Sequence, residues 1–252
     1  MLAIKAVIIF YTRLPFFRNC ILPDDYFKNI VYYWSMAGWL TASVMAVVLY
    51  LSNLILPMNV AVVLALASRL LLTGAFHEDG LADFFDGFGG GLTKERILAI
   101  MKDSHMGCYG VIGLIIYYLL LFSLLSSLTV GLACIVILVA DPFCKGLSSF
   151  ITSRLTYART AESSKVKVVY NTLQIKYFLC AVSFALIPYF IIFAVISPLF
   201  YLSAILPVVM FFLLTAFMNQ KIQGYTGDCA GALFLLTELS FYLSFVVLAR
   251  IV

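Results

Sequence analysis

Charge is what this chain has least of. Only 11% of its 252 residues are Asp, Glu, Lys or Arg, whereas a soluble domain carries roughly a quarter. That scarcity excludes an ordinary water-facing surface, and a net charge of +4 gives no case for nucleic acid. Histidine is limited to His77 and His105. The six cysteines form no CxxC pair and stand at no metal spacing with a histidine; Cys134, Cys144 and Cys180 lie in apolar runs, where a thiol is a small hydrophobe. No small-residue cleavage site follows the first apolar run, MLAIKAVIIFYTRLPFF, so it is expected to be retained as a cytoplasmic or interfacial segment.

What the chain has instead is oil: 64% of its residues are hydrophobic. Segments of about 20 mainly apolar residues read as membrane helices, and seven are present, at 31–52, 54–75, 110–128, 129–150, 178–197, 199–218 and 230–249. The expected fold is therefore an all-α polytopic membrane protein, a single membrane-embedded domain over 1–252. Charges collect in alternate connections, at 1–30, 76–109, 151–177 and 219–229, while the turns near 53–58, 126–130 and 196–200 carry none. Under the positive-inside rule the charged connections are cytoplasmic, the N-terminus is inside and the C-terminus outside. Four charges remain within the spans, and Arg69, Asp141, Lys145 and Glu238 all lean toward the same membrane face. Charges in lipid are costly and face a polar cavity or a partner. Asp141 and Lys145, four apart, either neutralise each other or line such a cavity.

Against this background His77-Glu-Asp-Gly-Leu-Ala-Asp-Phe-Phe-Asp-Gly-Phe-Gly-Gly-Gly91 places four carboxylates in nine residues. If 79–86 is helical, Asp79, Asp83 and Asp86 share one face at i, i+4 and i+7, with Glu78 about 100° away. Crowded carboxylates raise one another's pKa unless a cation compensates. Mg²⁺ suits such hard oxygen donors, usually one or two carboxylates with water and substrate phosphate. Gly89 and Gly90 allow backbone to approach a ligand closely, so the stretch is expected to receive a metal-bound pyrophosphate. The apolar residues between the acids, Leu81, Ala82, Phe84 and Phe85, argue against a solvated loop tip.

Polar chemistry returns at Lys102, Asp103, Ser104 and His105 before Gly107 and Gly110 open the next helix. Arg96 and Lys102 can hold phosphate oxygens or sit at the membrane surface. Asp103 can serve as a base or a metal ligand, and either histidine as a general base. The stretch Ser153 to Lys167 is basic, with Arg154 and Arg159, and suits anionic lipid. In Gly224-Tyr-Thr-Gly-Asp-Cys-Ala-Gly-Ala232, Asp228 either caps a helix or belongs to an anion site at its N-terminus.

These motifs, in order, resemble the cobalamin synthase (adenosylcobinamide-GDP ribazoletransferase) family. The resemblance rests on HEDGLADFFDG, ERILAIMKDSHMGCYGVIGL (95–114), the YAR of Tyr157 to Arg159, GYTGDCAGA and the opening FYTRLPF (10–16). It implies a polytopic inner-membrane enzyme of bacteria or archaea that takes adenosylcobinamide-GDP and α-ribazole, or its 5′-phosphate, as substrates, with Mg²⁺ as cofactor. A ribose hydroxyl attacks the phosphate nearer the corrinoid and GMP leaves. By this analogy Asp79, Asp83 and Asp86 hold metal, with Glu78 as a further ligand or base. Arg96, Lys102, Asp103, Arg159, Asp228, Gly89 and Gly90 meet substrate or assist the reaction. A homo-oligomer is compatible with the sequence, which does not speak to it, and which carboxylate takes the proton stays open.

Two rivals make different demands. A CDP-alcohol phosphotransferase shares the chemistry, but Asp83-Phe-Phe-Asp86-Gly87 is followed by neither Ala-Arg nor a later aspartate pair. A transporter calls for charges near mid-membrane and paired repeats, and the sequence has neither.

Overall fold

A computed structural model describes residues 2–17, 20, 22–158 and 175–252. The described residues contain helices and one isolated β-bridge, with no strand. In chain order the helices are α1 (Leu2–Tyr11), α2 (Asp24–Lys28), α3 (Trp34–Asn53), α4 (Met58–Thr73), α5 (Phe76–Gly90), α6 (Lys94–Lys102), α7 (Cys108–Ser126), α8 (Val130–Ser149), α9 (Ile151–Arg154), α10 (Ile175–Ile196), α11 (Ile205–Ile222) and α12 (Gly227–Ala249). Short 3-10 turns at Ile30–Tyr33 and Pro198–Ala204 lead into α3 and α11.

Each of the seven apolar segments coincides with one of these helices. Among the described residues five helices are long and apolar enough to cross a membrane, or six if α4 and α5 form one bent span. Within α10, Ala181–Ile196 is a shorter apolar helix. Their surface is that of a lipid-embedded body: Val111, Ile112, Ile115, Ile116, Leu119 and Leu120 of α7 all face outward. α12 is different. It is apolar on every side and lies at the centre, against α5, α8 and α11, as an all-round apolar helix must.

The stretch 76–109, read from the sequence as a connection, is itself mostly helix. Leu81, Ala82 and Phe84 give α5 an apolar face that is buried in the bundle, so α5 is part of the packed body. What separates it from α4 is a sharp corner. Gly74 (φ 67°) and Ala75 (φ 56°) are both left-handed, and the two helix axes diverge by 93°. Glycine adopts that conformation freely, whereas alanine does so at a cost. The chain after α1 braces the corner: the Arg13 amide donates to the Leu72 carbonyl at 2.7 Å, and the Arg13 side chain fills the space beside Gly74.

Candidate active site

α5 carries the acidic stripe as a true helix face, but exposure changes along it. Asp79 is exposed, Asp83 half-buried and Asp86 buried. The buried end faces a helix start. Asp86 Oδ2 accepts from the Gly107 amide at 2.7 Å and Oδ1 from the Gly110 amide at 2.8 Å. These are the otherwise unpaired amides of the first turn of α7, where a negative charge also meets the helix dipole favourably. A Cβ on either glycine would lie within 2.5 Å of the Asp86 carboxylate, so this glycine spacing serves the carboxylate. Both Asp86 oxygens are thus engaged by backbone amides of the protein.

Glu78 points elsewhere. It is buried, and its Oε1 lies 3.7 Å from Arg69 Nη2. Arg69 meets Glu238 of α12 with Nη1 at 2.9 and 2.7 Å from the two carboxylate oxygens, and donates to the Tyr117 hydroxyl at 3.0 Å. The Tyr242 hydroxyl donates to Glu238 at 3.2 Å. One guanidinium therefore faces two carboxylates and ties α4, α5, α7 and α12 together. Glu78 Oε2 accepts no hydrogen bond among the described residues.

The other intramembrane charges form a second closed group. Lys145 Nζ lies 2.6 Å from Asp141 Oδ1, donates to Thr41 Oγ1 at 2.6 Å, and sits over the Phe234 ring at 4.8 Å. Thr41 in turn donates to Asp141 Oδ2 at 2.7 Å. Of the two readings open for Asp141 and Lys145, mutual neutralisation is the one observed. Pairing of this kind is what a low-dielectric interior demands of buried ions. Arg69 thus pairs with Glu238 across the helices and Asp141 with Lys145 within α8, and all four side chains are buried.

The exposed end of the acidic stripe meets the start of α12. A Cβ on Gly80 would lie 3.0 Å from the Asp228 carbonyl oxygen, and one on Gly231 3.3 Å from the His77 carbonyl oxygen, so the two helices approach backbone to backbone. Thr226 caps α12 by accepting from the Cys229 amide at 3.2 Å. That settles the alternative left open for Asp228, which is not the cap. It lies half-buried in the first turn, beside the α5 backbone between Asp79 and Asp83. The Tyr157–Tyr225 bridge, with Ala158 donating to the Tyr225 carbonyl at 2.8 Å, brings the matched YAR to the same helix start. Arg159 itself lies outside the described residues.

The remaining candidates are spread over the surface beyond α5. α6 is amphipathic, with Ile97 and Met101 inward and Arg96 and Lys102 outward. Six residues separate the two cations by about 9 Å along the axis and about 120° around it, so α6 alone does not join them into one phosphate clamp. At its end, Asp103 accepts from the His105 amide at 3.1 Å, and its Oδ1 lies 2.6 Å from His105 Nδ1. The His105 side chain holds the Asp103 carboxyl below its ordinary value, and the His105 amide adds to this. His77, by contrast, is buried among the rings of Tyr11, Trp34, Phe76 and Phe234, 5.1 to 6.2 Å away. The room left by Gly89 is taken by the Tyr109 ring, 2.7 Å from where a Cβ would stand, and Gly90 borders Ile100. Gly89 lets the Tyr109 ring close against the end of α5, while the backbone of both glycines stays exposed.

The donors at the exposed end, Asp79, Asp83 and the nearby Asp228, are all carboxylates, as a hard cation prefers. Among the described residues no three Asp, Glu, His or Cys side chains converge as a metal site. Mg²⁺ is commonly taken by one or two such carboxylates, completed by water and substrate oxygens.

Comparison with known proteins supplies the family. The family model described as cobalamin-5-phosphate synthase matches residues 3–246. The adenosylcobinamide-GDP ribazoletransferase of Shewanella frigidimarina is 36% identical over 247 residues, covering 93% of this chain and 90% of the relative. Those of Vibrio parahaemolyticus and Leptospira interrogans are each 34% identical, covering 94% of this chain and 89% and 92% of theirs. No solved structure matches. With nearly its full length matched, this chain belongs to the cobalamin-5-phosphate synthase family.

Proposed function

We propose that this chain is an adenosylcobinamide-GDP ribazoletransferase acting at one face of the bilayer. A ribose hydroxyl of α-ribazole, or of its 5′-phosphate, attacks the phosphorus nearer the corrinoid. The bond from that phosphorus to the oxygen bridging the two phosphates breaks, GMP leaves with that oxygen, and the hydroxyl proton passes to a base. Phosphoryl transfer asks little covalent work of a protein; positioning and charge neutralisation dominate.

The observation that carries the reading is the gradient along α5. Its acids are committed to protein groups at Asp86 and Glu78, and reach the surface at Asp79 and Asp83 beside the start of α12. Asp79 and Asp83, with Asp228 adjacent, are the residues that would hold Mg²⁺. Bound there, the ion would offset the negative charge of the diphosphate. Asp86 fixes α7 against α5 and so orients the stripe. Arg69 holds Glu78 in place at the back of the same helix. The start of α12 supplies amides that attract a phosphate. Arg96, Lys102 and Arg159 are the cations for the diphosphate's outer oxygens, and the exposed Asp103–His105 pair is a candidate proton acceptor. The orientation included in this reading puts α6 and the basic ends of α9 and α11 in the cytoplasm of a bacterial or archaeal cell, where the nucleotide substrate is made.

The test is Asp83→Asn in the purified, bilayer-reconstituted protein, supplied with adenosylcobinamide-GDP, α-ribazole 5′-phosphate and Mg²⁺. Loss of GMP release with an unchanged thermal unfolding temperature is expected. Wild-type turnover would return the stripe to a purely structural role.

A further inference from the structure

Away from the acidic helix, one exposed arginine lies beside lipid-facing side chains. Arg154 ends α9, at the close of an apolar segment running from Val130 to Arg154. Its Nε donates to Thr215 Oγ1 of α11 at 3.0 Å, and its guanidinium lies 4.8 Å from the centre of the Phe212 ring. Thr215 is six residues before Lys221, which lies in the last turn of α11. Arg154 is therefore held about 9 Å deeper than the basic end of that helix. The neighbouring surface is lipid-facing: Val209, Phe212 and Leu213 are all exposed.

A cation at this depth normally has an anionic partner. Among the described residues Arg154 forms no ion pair with a carboxylate. Its Nε and one ring face are used to fix the guanidinium, which leaves the two terminal nitrogens, the fork that suits a phosphate oxygen pair. The fork stands at one end of an open groove of about 420 Å³, whose remaining walls include Leu147, Phe150, Val208 and Phe211. α8 with α9, and α11, run in the same direction along this groove, and from Leu147 to Arg154 it extends about 10 Å. Apolar walls ending in a positioned guanidinium match a molecule with a long apolar chain and a phosphate at its head.

We propose that the α8–α9/α11 groove is a binding site for an anionic glycerophospholipid, with one acyl chain along the apolar walls and the phosphodiester on Arg154. The site is separate from the acidic face of α5. It would seat the basic end of α9 at the headgroup level.

The experiment uses the full chain in neutral detergent micelles, titrated with phosphatidylglycerol or with phosphatidylcholine of the same acyl chains. Thermal unfolding and lipid retention by native mass spectrometry are the two readouts. Phosphatidylglycerol is expected to raise the unfolding temperature and to co-isolate at one per chain. Arg154→Ala should weaken that retention about tenfold or more. Val208→Trp, which keeps the charge and fills the groove, should weaken it as well. If Arg154→Ala fails to fold, Arg154→Lys and Val208→Trp carry the test, the former with partial and the latter with strong loss. Equal retention of the two lipids would overturn the proposal, since the charge would then select nothing. So would an equal effect from glycerol 3-phosphate alone, which would make the groove irrelevant, or full retention by the Val208→Trp protein.

Discussion

Replacing Arg69 with methionine is the sharpest test of how the bundle tolerates its buried charges. The substitution keeps an unbranched side chain of similar reach but removes the cation that faces Glu238 at 2.7 Å and Glu78 at 3.7 Å. All three side chains are at most 5% exposed, so water cannot take over the stranded carboxylates without opening the helices. Breaking a buried pair from one side costs about 3–5 kcal/mol. For a chain of this size each kcal/mol corresponds to roughly 2–4 °C, which gives an expected drop of about 6–20 °C in unfolding temperature, measured in detergent or in vesicles. Adding Glu238→Gln should restore part of it, because one stranded charge is then gone. A fall below about 2 °C, or no recovery in the double variant, would refute the view that Arg69 joins α4 to α5 and α12 by charge.

Three other outcomes are expected. Gly110→Ala pushes a methyl group to 2.5 Å from the Asp86 carboxylate and 3.0 Å from the Ala82 carbonyl oxygen, and should cost about 1–3 kcal/mol as an overpacked contact; unchanged thermal stability would remove Asp86 from its role at α7. Asp103 should titrate below the ordinary aspartate value, followed by side-chain carboxyl NMR, because His105 hydrogen bonds favour its ionised form. That contribution is complete above the unfolded carboxylate value and disappears as pH falls through the lowered folded one, and His105→Ala should move the midpoint back up. Single cysteines placed at Arg96 and at Leu54 should label from opposite sides of sealed vesicles, with Arg96 on the cytoplasmic side; labelling of both from one side would overturn the orientation.

The apolar skeleton was legible because lipid imposes a length and composition that a sequence displays directly. Each of the seven segments became a helix, and the three-acid face of α5 followed from spacing alone once 79–86 was taken as helical. Partners were harder to read. Asp86 meets amides 21 and 24 residues further along the chain, and nothing local to either segment reveals the pairing, although the Gly107 and Gly110 spacing is its visible trace. Thr41 sits between Lys145 and Asp141 from a helix about 100 residues earlier. Tyr117 and Tyr242 complete the group around Arg69 in the same long-range way. Charge positions along a sequence show which membrane face a group leans toward, but not whether it lines a cavity or faces another ion. That distinction depends on which helices are neighbours. The Gly74–Ala75 corner was also hidden, since one of its two left-handed residues is an alanine that sequence statistics place in helices.

The most direct measurement is product formation by the purified, folded chain in a bilayer. It would be supplied with adenosylcobinamide-GDP, α-ribazole 5′-phosphate and Mg²⁺, with a set of CDP-alcohol substrates in parallel. GMP released in equal amount with a completed nucleotide loop, and no turnover of the CDP-alcohols, is the expected result. Folded protein that makes no GMP, or that releases CMP from a CDP-alcohol instead, would contradict the assignment.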